Sequence, residues 1–349
     1  MIRRLPLFLA LSCTGFGIPT HATAQVLDVN TATTLSSGTY SQINVDPGTP
    51  ELTAVVLAFG GTTTTTNMTT ASNSVTQLTG GTVSNAISAF DTSSINVSGT
   101  ASIYDINALD NSQVTMTAGT ITNYINGYDN AVINVTGGQM AAVITRNNSV
   151  AYVDGASLNG GATVLDDSVF YMRSGFLGNI NYLNQRGVFN VSGGTQSQPT
   201  FAFDASVLNM SGGVLGAANL ENSAHLNFRG GTITNNIMRV FQTGVVNIFG
   251  SGLAITSSAV GTEPLYGAYT DFILQGTLLD GNSITGMVLR DYDGGNQILN
   301  LSNPNAGSST LNFNPVPVVV SEPTTIALLV AGMTSLSTLA TRRRFGRKK

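Results

Sequence analysis

The sequence predicts an all-β chain wound as a parallel β-helix (β-solenoid) of about ten 19-residue coils, with capping regions and a C-terminal transmembrane helix. Three observations predict it. A glycine-centred marker returns at near-constant spacing, apolar and polar residues alternate on its N-terminal side, and the two ends differ in character from everything between them.

Residues 1–24 read as a secretory signal peptide. Arg3 and Arg4 precede a short apolar stretch, and Ala22-Thr23-Ala24 supplies a small-x-small cleavage site before Gln25. Cys13, the single cysteine of the chain, lies inside this segment. The mature chain would then have no disulfide and no thiol chemistry. Residues 25–71, with the threonine run "GGTTTTTNMTT", fall outside the clean register and are expected to form an N-terminal cap or irregular coils.

The repeat occupies residues 72–253. The second small residue of each marker falls at Gly81, Thr100, Gly119, Gly138, Ala156, Gly175, Gly194, Gly213, Gly231 and Ser251, spaced 18 to 20 residues apart. Three residues before the marker the column is apolar throughout, from Leu78 and Val97 to Phe228 and Ile248. Five residues before it the column is apolar except for Thr76, and the position between is polar or amphipathic, mostly asparagine. Alternation with period two is a strand with one buried face; a helix would turn residues two apart onto different faces. A second apolar column begins two residues past the marker, so each coil holds a strand, a glycine-mediated bend, a second strand and a polar turn. One coil cannot hide its apolar face, but stacked neighbours can.

Residues 254–314 contain two strand-like stretches around Asp280-Gly281, a turn signal, and are expected to close the rod as C-terminal cap strands. Residues 315–325 form a Pro-rich spacer that ends in Ser321-Glu322-Pro323. Residues 326–341 are uncharged and mostly apolar, a helix of roughly 24 Å that can cross a bilayer with local thinning. The tail 342–349 holds Arg342, Arg343, Arg344, Arg347, Lys348 and Lys349, and such a cluster stays on the cytoplasmic side.

Charge excludes one function class. Between residues 5 and 341 there are six arginines, no lysine and all 18 acidic residues, so the formal charge there is 6 − 18 = −12. Nucleic acid, whose phosphates need Lys and Arg, is not an expected partner. Enzymatic resources are thin as well. His225 is the one histidine outside the signal segment, which rules out a multi-histidine metal site and leaves a single candidate base for a serine triad. No catalytic residue is assigned.

Several side chains stand out even so. Ten residues past the marker lie Asp91, Asp110, Asp129, Asp166 and Asp204, with Gln185 in the column and Asn147 close to it. Asp in this setting opens turns by accepting backbone N–H groups two residues on. A stacked row of carboxylates can also hold calcium, with Asp91, Asp110 and Asp129 as candidates, or act on a glycosidic bond. No cofactor is required otherwise. Tyr152 and Tyr171 are neighbours in the outward strand column and either pack on each other or offer a stacking platform for sugar rings. The asparagines of that column suit a side-chain amide ladder between coils. Met116, Met172 and Met210 stand in a core column and read as filler.

Two resemblances add to this reading. The C-terminal segment, with Glu322-Pro323, its short apolar helix and its arginine-rich tail, resembles the PEP-CTERM sorting signal, although Ser321 stands where that signal has its first proline. The resemblance implies processing by an exosortase-type membrane protease in a Gram-negative-type bacterium that makes exopolysaccharide. It also implies transient anchoring in the inner membrane and release to the cell surface or outside. The 19-residue coil resembles right-handed parallel β-helices, as in autotransporter passengers and pectate-lyase-like proteins. Together they imply a non-enzymatic structural or adhesive rod of a biofilm matrix, with extracellular polysaccharide as its partner. The alternative is a polysaccharide lyase or glycoside hydrolase on the same scaffold.

Overall fold

The computed structural model describes residues 25–47, 56–292, 297–303 and 307–313. The signal segment 1–24, the spacer and sorting motif with Glu322 and Pro323, the helix 326–341 and the tail with Arg342, Arg343 and Arg344 lie outside the described residues. Within them the chain is all strand, turn and bend, wound into a parallel β-solenoid of about 11 turns.

Each coil carries two strand tracts. In the first, Gln113–Met116 pairs in parallel with Ser94–Val97 on one side and Val132–Val135 on the other, each residue directly over its equivalent 19 residues away. In the second, Thr120–Gly127 lies between Ser102–Ala108 and Gln139–Thr145, and a register shift after Ile121 divides it into two short limbs. This bulge absorbs the 18-residue steps. One coil loses a residue there without disturbing either limb.

The alternation seen in the sequence is the inside–outside alternation of the first tract. Ile95, Val114, Ile133, Ala151, Phe170, Phe189, Leu208 and Leu226 stack in one fully buried file. Phe170 and Phe189 meet there edge to face, ring centroids 5.1 Å apart. Filling one such position contributes about 1.5–3 kcal/mol, and the file repeats it at every rung.

Between the tracts, the marker glycine adopts a positive φ, +96° at Gly119 and +99° at Gly175. A Cβ on Gly175 would sit 2.3 Å from the Ala156 carbonyl oxygen of the coil before it. Where the marker is Thr100 or Ala156, the preceding Gly99 or Gly155 takes the positive φ instead. The bend therefore needs one glycine, and the chain tolerates it at either of two positions.

The parallel ladders begin before residue 72. Val26–Val29 pairs with Thr39–Val45, which pairs with Thr64–Thr70, and Thr33–Leu35 pairs with Val56–Phe59. These coils escape an apolar pattern because threonines turn inward: Thr63, Thr65, Thr70 and Thr76 are buried, and the hydroxyls of Thr70 and Thr76 meet at 2.7 Å.

At the other end the chain leaves the coil. Val245–Glu263 continues the first tract through residue 248, then runs on as an antiparallel partner of Gly267–Leu278. Ser283–Tyr292 returns antiparallel to that strand and parallel to Ile237–Phe241. Asp280 and Gly281 form the turn, with Gly281 at φ +88°. The Asp280 carboxylate anchors the hairpin to the rod by accepting the Gly231 N–H at 2.6 Å.

Candidate functional site

The aspartate column is a turn column, but its hydrogen bonds run between coils and not two residues on. Asp91, Asp110, Asp129, Asn147, Asp166, Gln185 and Asp204 all hold φ between +55° and +59°, and Ser72 and Asn222 extend the file at +58°. Asp and Asn accept this left-handed conformation more readily than other non-glycine residues. Each turn closes on itself through the backbone, as in the Ser93 N–H donating to the Phe90 carbonyl at 3.1 Å.

Successive turns are tied reciprocally. The Asp91 carboxylate accepts the Ser72 N–H at 3.0 Å, the Asp110 carboxylate accepts the Asp91 N–H at 3.1 Å, and the Asp129 carboxylate accepts the Asp110 N–H at 3.4 Å. In the other direction, the Asn111 N–H donates to the Asp91 carbonyl at 2.9 Å. The second oxygen of Asp129 also accepts from the Asn147 amide at 2.9 Å. The three calcium candidates thus each direct an oxygen at a backbone amide. Among the described residues no group of three or more His, Cys, Asp or Glu side chains could hold a metal ion.

A second column, of serines, lies inside the turn. Ser74, Ser93, Ser112, Ser149, Ser168 and Ser206 are fully buried two residues after the left-handed position. Ser93 accepts the Phe90 N–H at 3.1 Å and donates to the Thr70 carbonyl at 2.9 Å, whereas the Ser74, Ser112 and Ser206 hydroxyls have no hydrogen-bond partner.

Tyr152 and Tyr171 stack along the rod axis, ring centroids 4.9 Å apart and planes within 7°. Each therefore covers one face of the other, and Arg173 lies 5.2 Å from the Tyr152 centroid. Further along the same outward column the amide ladder is continuous. Asn209 donates to Asn190 at 2.9 Å, Asn227 to Asn209 at 2.7 Å, Asn247 to Asn227 at 2.8 Å and Asn300 to Asn247 at 2.5 Å.

His225 is half-buried in the first tract between Val207 and Val245. The arginines are spread along the rod. Arg186 forms a two-pronged pair with Asp167 one coil below, which holds that carboxyl below its usual range. Arg290 lies 3.8 Å from the Tyr269 centroid, pairs with Asp271 at 2.8 and 2.9 Å, and also pairs with Glu263. Burial, with Glu263 beside it, pushes the Tyr292 phenol up.

One group of side chains departs from the Ser, Thr and Asn surface of the rod. On the second tract, Phe201, Asn219, Arg239 and Arg290 follow one another in the outward column. Beside them runs the column Phe203, Glu221, Phe241 and Tyr292. Tyr182 stacks on Phe201 at 5.9 Å, Phe201 on Phe203 at 6.3 Å, and Phe241 on Tyr292 at 4.5 Å. Burial raises the Glu221 carboxyl above its usual range. Asn219 is only 4% exposed, and its Oδ1 accepts no hydrogen bond.

No protein-family model matches the chain, and neither curated proteins nor solved structures give a match.

Proposed function

We propose that this chain is an exported, non-enzymatic rod that serves a structural or adhesive role at the cell surface or in an exopolysaccharide matrix. The parallel stacking of coils from Val26 to the C-terminal hairpin carries the reading. Most distinctive side chains of the repeat are spent holding one coil to the next: the aspartates, the asparagines, Ser93, Ser149, Ser168 and the stacked tyrosines. A rod so built is a spacer with a uniform, hydrophilic flank.

Delivery follows from the two ends of the sequence. The signal segment starts export, and the PEP-CTERM-like tail with Glu322, Pro323 and its basic cluster would hold the chain in the inner membrane until an exosortase-type protease releases it. Tags placed on either side of Glu322 test this. Release predicts that the N-terminal tag leaves the membrane fraction while the C-terminal tag stays; co-retention of both tags would contradict it. A depolymerisation screen against neutral and acidic polysaccharides, with and without calcium, tests the non-enzymatic role. Clear chain cleavage would replace it with the lyase or hydrolase reading.

A further inference from the structure

On the second tract near the C-terminal hairpin, aromatic rings, an amide, a carboxyl and guanidinium groups share adjacent columns. Glu221 is the least explained of these. It follows Asn219 by two residues, so both side chains leave the same face of the strand. Phe203 lies one coil before it and Phe241 one coil after it. Neighbouring strands are about 4.8 Å apart, so the two phenyl-bearing positions are about 10 Å apart with Glu221 between them. Among the described residues no arginine pairs with Glu221; the Arg239 guanidinium engages the Tyr292 phenol instead.

The half-buried Glu221 carboxylate therefore sits between rings with no donor from the described residues, beside the buried Asn219. A structural role does not account for it, because a partly buried carboxyl without a donor costs stability and an isosteric apolar side chain would not. The missing partner is a molecule with several hydroxyl donors and an apolar face. Hydroxyls would donate to the Glu221 carboxylate. C–H groups would lie against Phe203 and Phe241, and the Tyr182–Phe201 stack would extend the platform to a neighbouring unit. Tyr182 is 41% exposed and so open to contact. An anionic sugar fits less well: its carboxylate would face Glu221 on a body of net charge −12, while Arg239 is already engaged.

We propose that Phe203, Glu221 and Phe241, with Tyr182 and Phe201 beside them, bind a pyranose unit of a neutral polysaccharide. This deepens the matrix reading above and rests on it. The stacked Tyr152–Tyr171 pair lies on the first tract, outside this site.

The test is titration calorimetry of the full-length chain with cellohexaose, maltohexaose and xylohexaose, and with a hexamer of glucuronic acid as the acidic counterpart. The proposal expects at least one neutral hexasaccharide to bind more tightly than the acidic one. It expects Phe203→Ala and Glu221→Gln each to weaken that binding at least tenfold, with Tyr152→Ala unchanged. Glu221→Gln is near-isosteric, so its result stands even where Phe203→Ala unfolds. Binding of no neutral hexasaccharide, or equal affinity in Glu221→Gln, overturns the site. Co-sedimentation with extracted matrix polymer separates the two levels: a chain that still co-sediments after the site has failed keeps the matrix reading, and one that never co-sediments loses both.

Discussion

The carboxylate of Asp110 accepts the backbone N–H of Asp91, 19 residues earlier, at 3.1 Å. Both residues hold a left-handed backbone, +56° and +58°. One side-chain type thus satisfies two demands at once, a strained φ within its own coil and an orphan amide in the coil before it. Asp110→Asn keeps an acceptor and tolerates the conformation, so urea denaturation should find it within about 0.5 kcal/mol of the parent. Asp110→Ala loses the acceptor and strains the turn, for a loss of about 1–2 kcal/mol. Asp110→Gly should fall between them. Equal stability of Asn and Ala variants would show that the inter-coil bond contributes nothing.

Calcium bears on the same column. With one oxygen of Asp91, Asp110 and Asp129 directed at a backbone amide, millimolar calcium should leave the melting temperature unchanged, as should a chelator. A clear upward shift with calcium would return these residues to the metal reading.

The aromatic pair inside the rod sets the largest single-residue effect. Phe189 is fully buried against Phe170, with coils on both sides fixed by their own ladders. Phe189→Ala should cost about 3–5 kcal/mol in denaturant unfolding, because neighbouring rungs cannot collapse into the cavity. A cost under about 1.5 kcal/mol would mean the file is loosely packed.

Glu221 gives a pH-dependent prediction with a definite sign. Burial raises its carboxyl above the unfolded value. The native state therefore favours the protonated form, and stability from this group is fully present below the unfolded value, about pH 4.3, and is lost as pH rises through the folded value. Glu221→Gln cannot ionise. Its melting temperature should exceed the parent's at pH 7 and converge with it near about pH 4. A difference independent of pH would show that the carboxyl's charge is not the cause.

The sequence made the rod legible because its signal is translational. A strict 19-residue marker and a period-two column survive any single exception, so the strands, the bend and the turn could be placed from Gly119 or Val114 alone. The coils before residue 72 were legible only as a cap or irregular coils, since Thr63, Thr65 and Thr70 occupy inward positions and hydropathy does not separate a buried threonine from an exposed one. The buried serines were hidden for the same reason. The direction of the aspartate bonds was not legible either: a turn-opening Asp has the same local sequence whether its acceptor serves its own turn or the coil below. The Glu221 surface was least visible, because the bulge in the second tract shifts its columns relative to the glycine marker. Phe203, Glu221 and Phe241 become neighbours only once that shift is known.

The central claim is that equivalent residues of successive coils lie directly over one another, and the absence of cysteine after residue 13 makes it directly testable. Thr115 and Asn134 are register partners on the outward face of the first tract. Their Cα atoms should be about 5 Å apart, within the span a disulfide bridges. In a Cys13→Ser background, Thr115→Cys with Asn134→Cys should oxidise to an intramolecular disulfide, seen as a loss of both free thiols by mass spectrometry. Thr115→Cys with Tyr152→Cys, two coils apart at about 10 Å, should keep its thiols. Free thiols in the first pair, or a bridge in the second, would contradict the stacked ladder.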